Sequence, residues 1–293
     1  MRKARCTVDC CVFSSKRRGS LSLGNRRRPV SLALRNNDGS LPLRPFPVKE
    51  PRVFPAWLDA LSLAALLLGA ACALLVSVDA IRHPQHMTVM NVVWPVTALF
   101  GTVAVVWAYF RYGRMAAHHA AQARHGTPPN KSETPFPVMV GKGALHCGSG
   151  CMLGDVAAEW LAFLVPAVAV WFGWQSLFSE KMVAVWILDF LFAFGLGIVF
   201  QYFAIVPMRG LSPGKGLIAA LKADTASLVA WQVGMYGFMA FAQFILFGHL
   251  LGHRAPVNTA EFWFAMQGAM IAGFLTSYPV NWWLVRSGIK ERM

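Results

Sequence analysis

The sequence predicts an all-α fold: a polytopic membrane helix bundle of six transmembrane helices, arranged as two plus four. Three observations predict it. Hydrophobic residues make up 56% of the 293 and charged residues only 14%, with a mean hydropathy of +0.48, which is far from a soluble globular domain. Six windows are long and apolar enough to cross a bilayer, at 57–78, 90–110, 156–178, 183–206, 225–247 and 262–285. With the N-terminus inside, 24 of the 27 Lys and Arg fall in cytoplasmic segments, leaving Arg82, Lys181 and Arg254 outside. The net charge of +14 then reflects topology and not a nucleic-acid-binding face, so the lipid bilayer is the expected partner and nucleic acid is not. Six spans place both termini in the cytoplasm.

Residues 1–56 are rich in Arg, Ser, Asn, Gly and Pro without periodicity, and read as a disordered basic segment upstream of the true membrane domain. The C-x3-C-C group of Cys6, Cys10 and Cys11 lies inside it and carries no functional weight. The first span is too long and too far from the start to be a cleaved signal peptide, and Cys72 within it is a small packing residue. Together with the second span, which holds Pro95, it forms a two-helix unit over 57–115. The run Gly126-Thr-Pro-Pro-Asn-Lys-Ser-Glu-Thr-Pro-Phe-Pro137 makes 116–139 a cytoplasmic linker. A four-helix unit follows over 140–290, its third span holding Pro166. Ser212-Pro213 is a helix start, an N-cap followed by proline at the first helical position, and that helix should run through Ala223 into the fifth span.

The chemistry concentrates at His146-Cys147-Gly-Ser-Gly-Cys151-Met-Leu-Gly-Asp155-Val-Ala-Ala-Glu159-Trp160. Cys147, Cys151, Asp155 and Glu159 recur every four residues, so a helix would carry all four on one face. Two thiols select a soft transition metal such as copper or zinc, with His146 or Asp155 completing the shell. Alternatives stay open: a reactive thiol pair, or helix packing by small residues. Glu159 and Asp189 are intramembrane carboxylates, costly to insert and therefore candidates for a proton or ion pathway. Entering from opposite sides of the membrane, they are expected at successive depths. His83, His86, Met87 and Met90 form a weaker, copper-like set. No Walker motif, dinucleotide loop, HExxH or GxSxG is present, and no catalytic residue is assigned.

Several of these motifs together carry a resemblance: His146-Cys147-x3-Cys151-x2-Gly154-Asp155-x3-Glu159-Trp160, Leu188-Asp189-Phe190, Gln201-Tyr202-Phe203-Ala204, Pro207-Met208-Arg209-Gly210, Lys222-Ala223-Asp224 and Ser277-Tyr278-Pro279-Val280-Asn281-Trp282-Trp283. Residues 140–290 resemble the bacterial integral-membrane family catalogued as domain of unknown function 4396, and 57–115 look like the extension of its longer members. The resemblance implies a four-helix membrane domain in the bacterial inner membrane and no established activity. The leading functional expectation is a protein that binds or moves a transition-metal ion. A non-catalytic scaffold or accessory subunit, able to form a homo-oligomer or join another protein, is the alternative. A membrane thiol oxidoreductase is the third.

Overall fold

The structure is a computed structural model in which residues 54–116 and 134–291 are described. The expectations for the basic segment, Cys6, Cys10, Cys11 and most of the linker lie outside the described residues. Among the described residues the fold is all-α, as predicted, with seven α-helices and no sheet. They are α1 (Ala56–Arg82), α2 (Met90–Ala108, continuing through a π-turn at Tyr109–Gly113), α3 (Phe136–Leu164), the short α4 (Ala167–Trp171), α5 (Lys181–Arg209), α6 (Pro213–Ala240, prolonged as a π-helix to Leu250) and α7 (Ala260–Arg286). Four helical segments, 56–82, 90–113, 181–207 and 213–250, are long and apolar enough to cross a membrane. The composition and these helices make this a membrane protein.

The second of those segments does not run straight. Thr102 sits at φ 42° and ψ −126°, outside helical space, in a region that β-branched residues avoid. The Trp94 and Tyr109 rings are 5.6 Å apart, and a Cβ on Gly113 would lie 2.9 Å from Trp94. In a straight helix those 15 and 19 residues would span roughly 22 and 28 Å. The segment is therefore a re-entrant hairpin that goes in to Gly101 and Thr102 and returns to its starting side. Backbone reversed at that depth must find its hydrogen bonds within protein. Gln267 of α7 supplies one, donating through Nε2 to the Leu99 carbonyl at 2.7 Å. Gly69 makes the space, since a Cβ there would fall 2.3 Å from the Leu99 oxygen.

The hairpin changes the topology. α1 runs parallel to α7: Phe54 packs on Phe247 near the start of α7, and Gly69 lies against Gln267. At its other end α1 meets the hairpin's return arm, where the Tyr109 hydroxyl donates to Asp79 and Arg114 reaches His83 and Asp79. Lys142 of α3 donates to the Tyr112 carbonyl, and Tyr278 of α7 to that of Pro137, at the same end. Five helices, α1, α3, α5, α6 and α7, thus traverse the bundle in alternating directions, with the hairpin inserted between the first two. The expected six spans are not found among the described residues: Ala56 and Arg286 lie at opposite ends of the bundle, whereas six spans would bring them to one. Hydropathy missed this because a hairpin and a span of equal length have the same composition.

The third span is also displaced from its expected window at 156–178. Its helix begins at Phe136 and ends at Leu164, because Val165 precedes Pro166 and takes an extended conformation (φ −127°, ψ 79°). The apolar run beyond it becomes α4 and a reversal at Gly173 (φ 96°), with Trp171 and Leu177 outward. The predicted start at Ser212-Pro213 is found, and α6 continues through Ala223 as expected, although the Ser212 side chain makes no capping hydrogen bond. The first two helical elements share one apolar core with α3, α5, α6 and α7, through Phe54, Leu58 and Phe100 against Cys151, Trp231, Met266 and Met270.

Candidate functional site

α3 is the axis of the bundle, with α2, α5, α6 and α7 packed around it. Its glycines explain how a helix can be so enclosed. A Cβ at Gly148 would stand 2.1 Å from the Trp231 ring, one at Gly150 2.8 Å from the Gly197 backbone, and one at Gly154 2.4 Å from the Ala193 nitrogen. These positions trade helix propensity, up to about 1 kcal/mol each, for backbone approach by the small-residue packing seen between membrane helices. Helicity is unbroken from Cys147 to Trp160, so the four-residue ladder of Cys147, Cys151, Asp155 and Glu159 exists as predicted. Every rung is buried.

Two polar groups form along it. The first surrounds Cys147. Chain beyond α7 turns at Gly288 (φ 74°) and carries Lys290 back into the bundle, where its side chain is fully enclosed. The Lys290 ammonium donates to Asp224 Oδ1, Cys147 Sγ and Asn281 Oδ1, each at 2.8 Å, and to the Gly143 carbonyl at 3.1 Å. The Cys147 thiol donates to Asp224, and Ser227 donates to the sulfur at 3.1 Å. Asn281 Nδ2 donates to Ser227 Oγ at 2.6 Å, closing the network. Burial by itself would lower the Lys290 ammonium; the charge of Asp224 outweighs it and holds the group above the usual lysine range. Sequence reading treated Lys290 as an inner-surface cation and Asp224 only as part of a motif, because their separation of 66 residues hides the pairing.

The second group is acidic. Gly150 opposite Gly197 and Gly154 opposite Ala193 set α3 and α5 antiparallel. One turn further along that register, Asp189 comes level with Glu159. The expectation of successive depths is corrected: α3 starts well before its predicted window, so Glu159 lies deep along it and not one turn in. Asp155, one turn before Glu159 on α3, and Asp189 on α5 are both buried. Both Asp155 oxygens, Asp189 Oδ1 and both amide atoms of Gln232 are buried without a direct hydrogen-bond partner. Tyr236 closes the side of the group, its hydroxyl donating to the Trp186 carbonyl at 2.9 Å. Beyond Glu159 a cavity of about 260 Å3 opens at the end of the bundle, lined also by Lys181, Glu180, Arg254 and Gln243. At its rim Arg254 hydrogen-bonds Glu180, holding that carboxyl below its ordinary range and the guanidinium above its own. Gln243 clamps the flanking loop through both atoms of its amide to Ala255.

The remaining expected ligands do not join this arrangement. His146 turns edge-on to Phe200, 6.2 Å away, and neither ring nitrogen has a partner. His83 is taken up by Asp79 and Arg114. Among the described residues no three His, Cys, Asp or Glu side chains converge to hold a metal ion. The donor set does not fit a cation at the thiols, because the Lys290 ammonium already stands against Cys147 and a second positive charge would be repelled there. Comparison with curated proteins and with solved structures gave no match in either case. The family profile described as domain of unknown function (DUF4396) matches residues 138–290, from the first turn of α3 to the buried lysine, and the chain belongs to that family.

Proposed function

We propose that this chain is a proton-translocating protein of the bacterial inner membrane. Protons would pass along the polar face of α3, between the acidic group at one end and the Cys147–Asp224–Lys290 network at the other. The observation that carries this reading is the trio of Asp155, Glu159 and Asp189, all buried, with both Asp155 oxygens and Asp189 Oδ1 lacking a direct hydrogen-bond partner. An intramembrane carboxylate costs roughly 2.5–3.5 kcal/mol on insertion, which packing alone gives no reason to retain. Rungs spaced about 6 Å apart along a helix are each within reach of one bridging water. Among the described residues the basic side chains Arg82, Arg111, Arg114, Lys142, Arg209, Lys215, Lys222, Arg286 and Lys290 gather at one end of the bundle, and the Glu159 cavity opens at the other, beside Lys181 and Arg254.

The test is proton flux into vesicles reconstituted with the purified protein, read by an entrapped pH-sensitive dye under an imposed gradient. Wild-type protein should dissipate the gradient, whereas Glu159→Gln and Asp155→Asn should each slow it at least tenfold with an unchanged melting temperature. Flux no faster than in empty vesicles, or equal in wild type and Glu159→Gln, would sink the proposal. The scaffold reading expects equal flux.

A further inference from the structure

A second cavity, of about 340 Å3, lies between the return arm of the re-entrant hairpin, α3 and α7. Its volume is at the lower end of small-molecule sites, about 300–1,000 Å3. Trp94, Phe100, Val105, Leu145 and Phe274 give it an almost wholly apolar wall. The one charged group on that wall is Lys142. Its side chain is buried, 4% exposed, and donates to the Tyr112 carbonyl at 3.2 Å. No carboxylate pairs with it among the described residues, unlike Lys290, which has Asp224. Among the described residues the Lys142 ammonium has a single neutral acceptor, which leaves two N–H groups and its charge for a further partner.

The combination specifies a ligand. An apolar slot excludes sugars, nucleotides and inorganic ions. A buried cation at its wall excludes a purely neutral hydrocarbon as the best occupant. We infer that this cavity binds an acyl chain ending in an anionic group, with the chain between the hairpin and α3 and its carboxylate or phosphate on Lys142. Both a free fatty acid and an acidic phospholipid carry that chemistry. The site is separate from the proton file, since its walls include neither Asp155, Glu159, Asp189 nor Asp224.

The experiment uses the full chain purified in a neutral detergent and a photoactivatable twelve-carbon fatty acid, with labelled peptides mapped by mass spectrometry. Labelling should fall in 94–108 and 138–145. It should be displaced by excess dodecanoate and at least tenfold less well by dodecanol, which has the same chain and no charge. Displacement by phosphatidylglycerol as well assigns the site to bilayer lipid, and displacement by dodecanoate alone assigns it to free fatty acid. Lys142→Met should weaken labelling at least tenfold. Should that variant not fold, Gly141→Leu provides an independent check: a Cβ there meets nothing nearer than 4.0 Å, so the added side chain fills the slot while keeping the lysine. Equal competition by dodecanol or phosphatidylcholine, labelling unaffected by Gly141→Leu, or labelling spread over the lipid-facing helices would overturn the assignment.

Discussion

α1 and α3 are of similar length, yet they are built for opposite surroundings. α1 is a run of Leu, Ala and Val whose outer face is bare, with Leu67 68% and Ile81 79% exposed. α3 carries a lysine, a histidine, two cysteines and two carboxylates, all buried. Hydropathy measures what a helix shows to lipid. It finds α1 easily and misplaces α3, which shows its polar residues only to other helices. The buried polar chemistry of this bundle sits in a helix that apolarity alone does not pick out as a span.

The sharpest break of this comparison concerns which segments cross. In a background with Cys6, Cys10 and Cys11 changed to Ser, single cysteines replace Trp57, Glu180 or Arg286. A membrane-impermeant thiol reagent should label Trp57→Cys and Glu180→Cys from one side and Arg286→Cys from the other. Labelling of Trp57→Cys together with Arg286→Cys would restore six spans and dismiss the hairpin.

Next in size is the buried ion pair. Lys290→Met leaves Asp224 uncompensated and should cost about 3–5 kcal/mol, read as a lower melting temperature in detergent. Adding Asp224→Asn should recover part of that loss. A double variant less stable than Lys290→Met would show that the pair is not the source of the effect. The smallest contrast is steric. Gly148→Leu drives a side chain into Trp231 and should cost about 1–3 kcal/mol or more. Leu67→Ala on α1 should stay within about 0.5 kcal/mol. Equal effects would mean that α3 is not the enclosed helix.

Local features were legible in the sequence and distant ones were not. The four-residue ladder follows from helical periodicity, and the Ser212-Pro213 start from local backbone chemistry. Both needed only neighbouring residues. The reversal at Thr102 had no such signal, since neither it nor Gly101 breaks an apolar run. Its support comes from Gly69 and Gln267, on other helices. The level placement of Glu159 and Asp189 depends on the register of two helices, set by glycines that read alone only as weak helix formers. The Lys290–Asp224 contact required knowing that the chain turns back at Gly288.

That last contact orders events during synthesis. Asp224 is made and inserted 66 residues before the lysine that neutralises it. Until residue 290 has been added, the sulfur, carboxylate and amide gathered around Cys147 have no cation among them. Closure of the interior therefore waits on the turn at Gly288, which brings Lys290 to Asp224 only once α7 is in place.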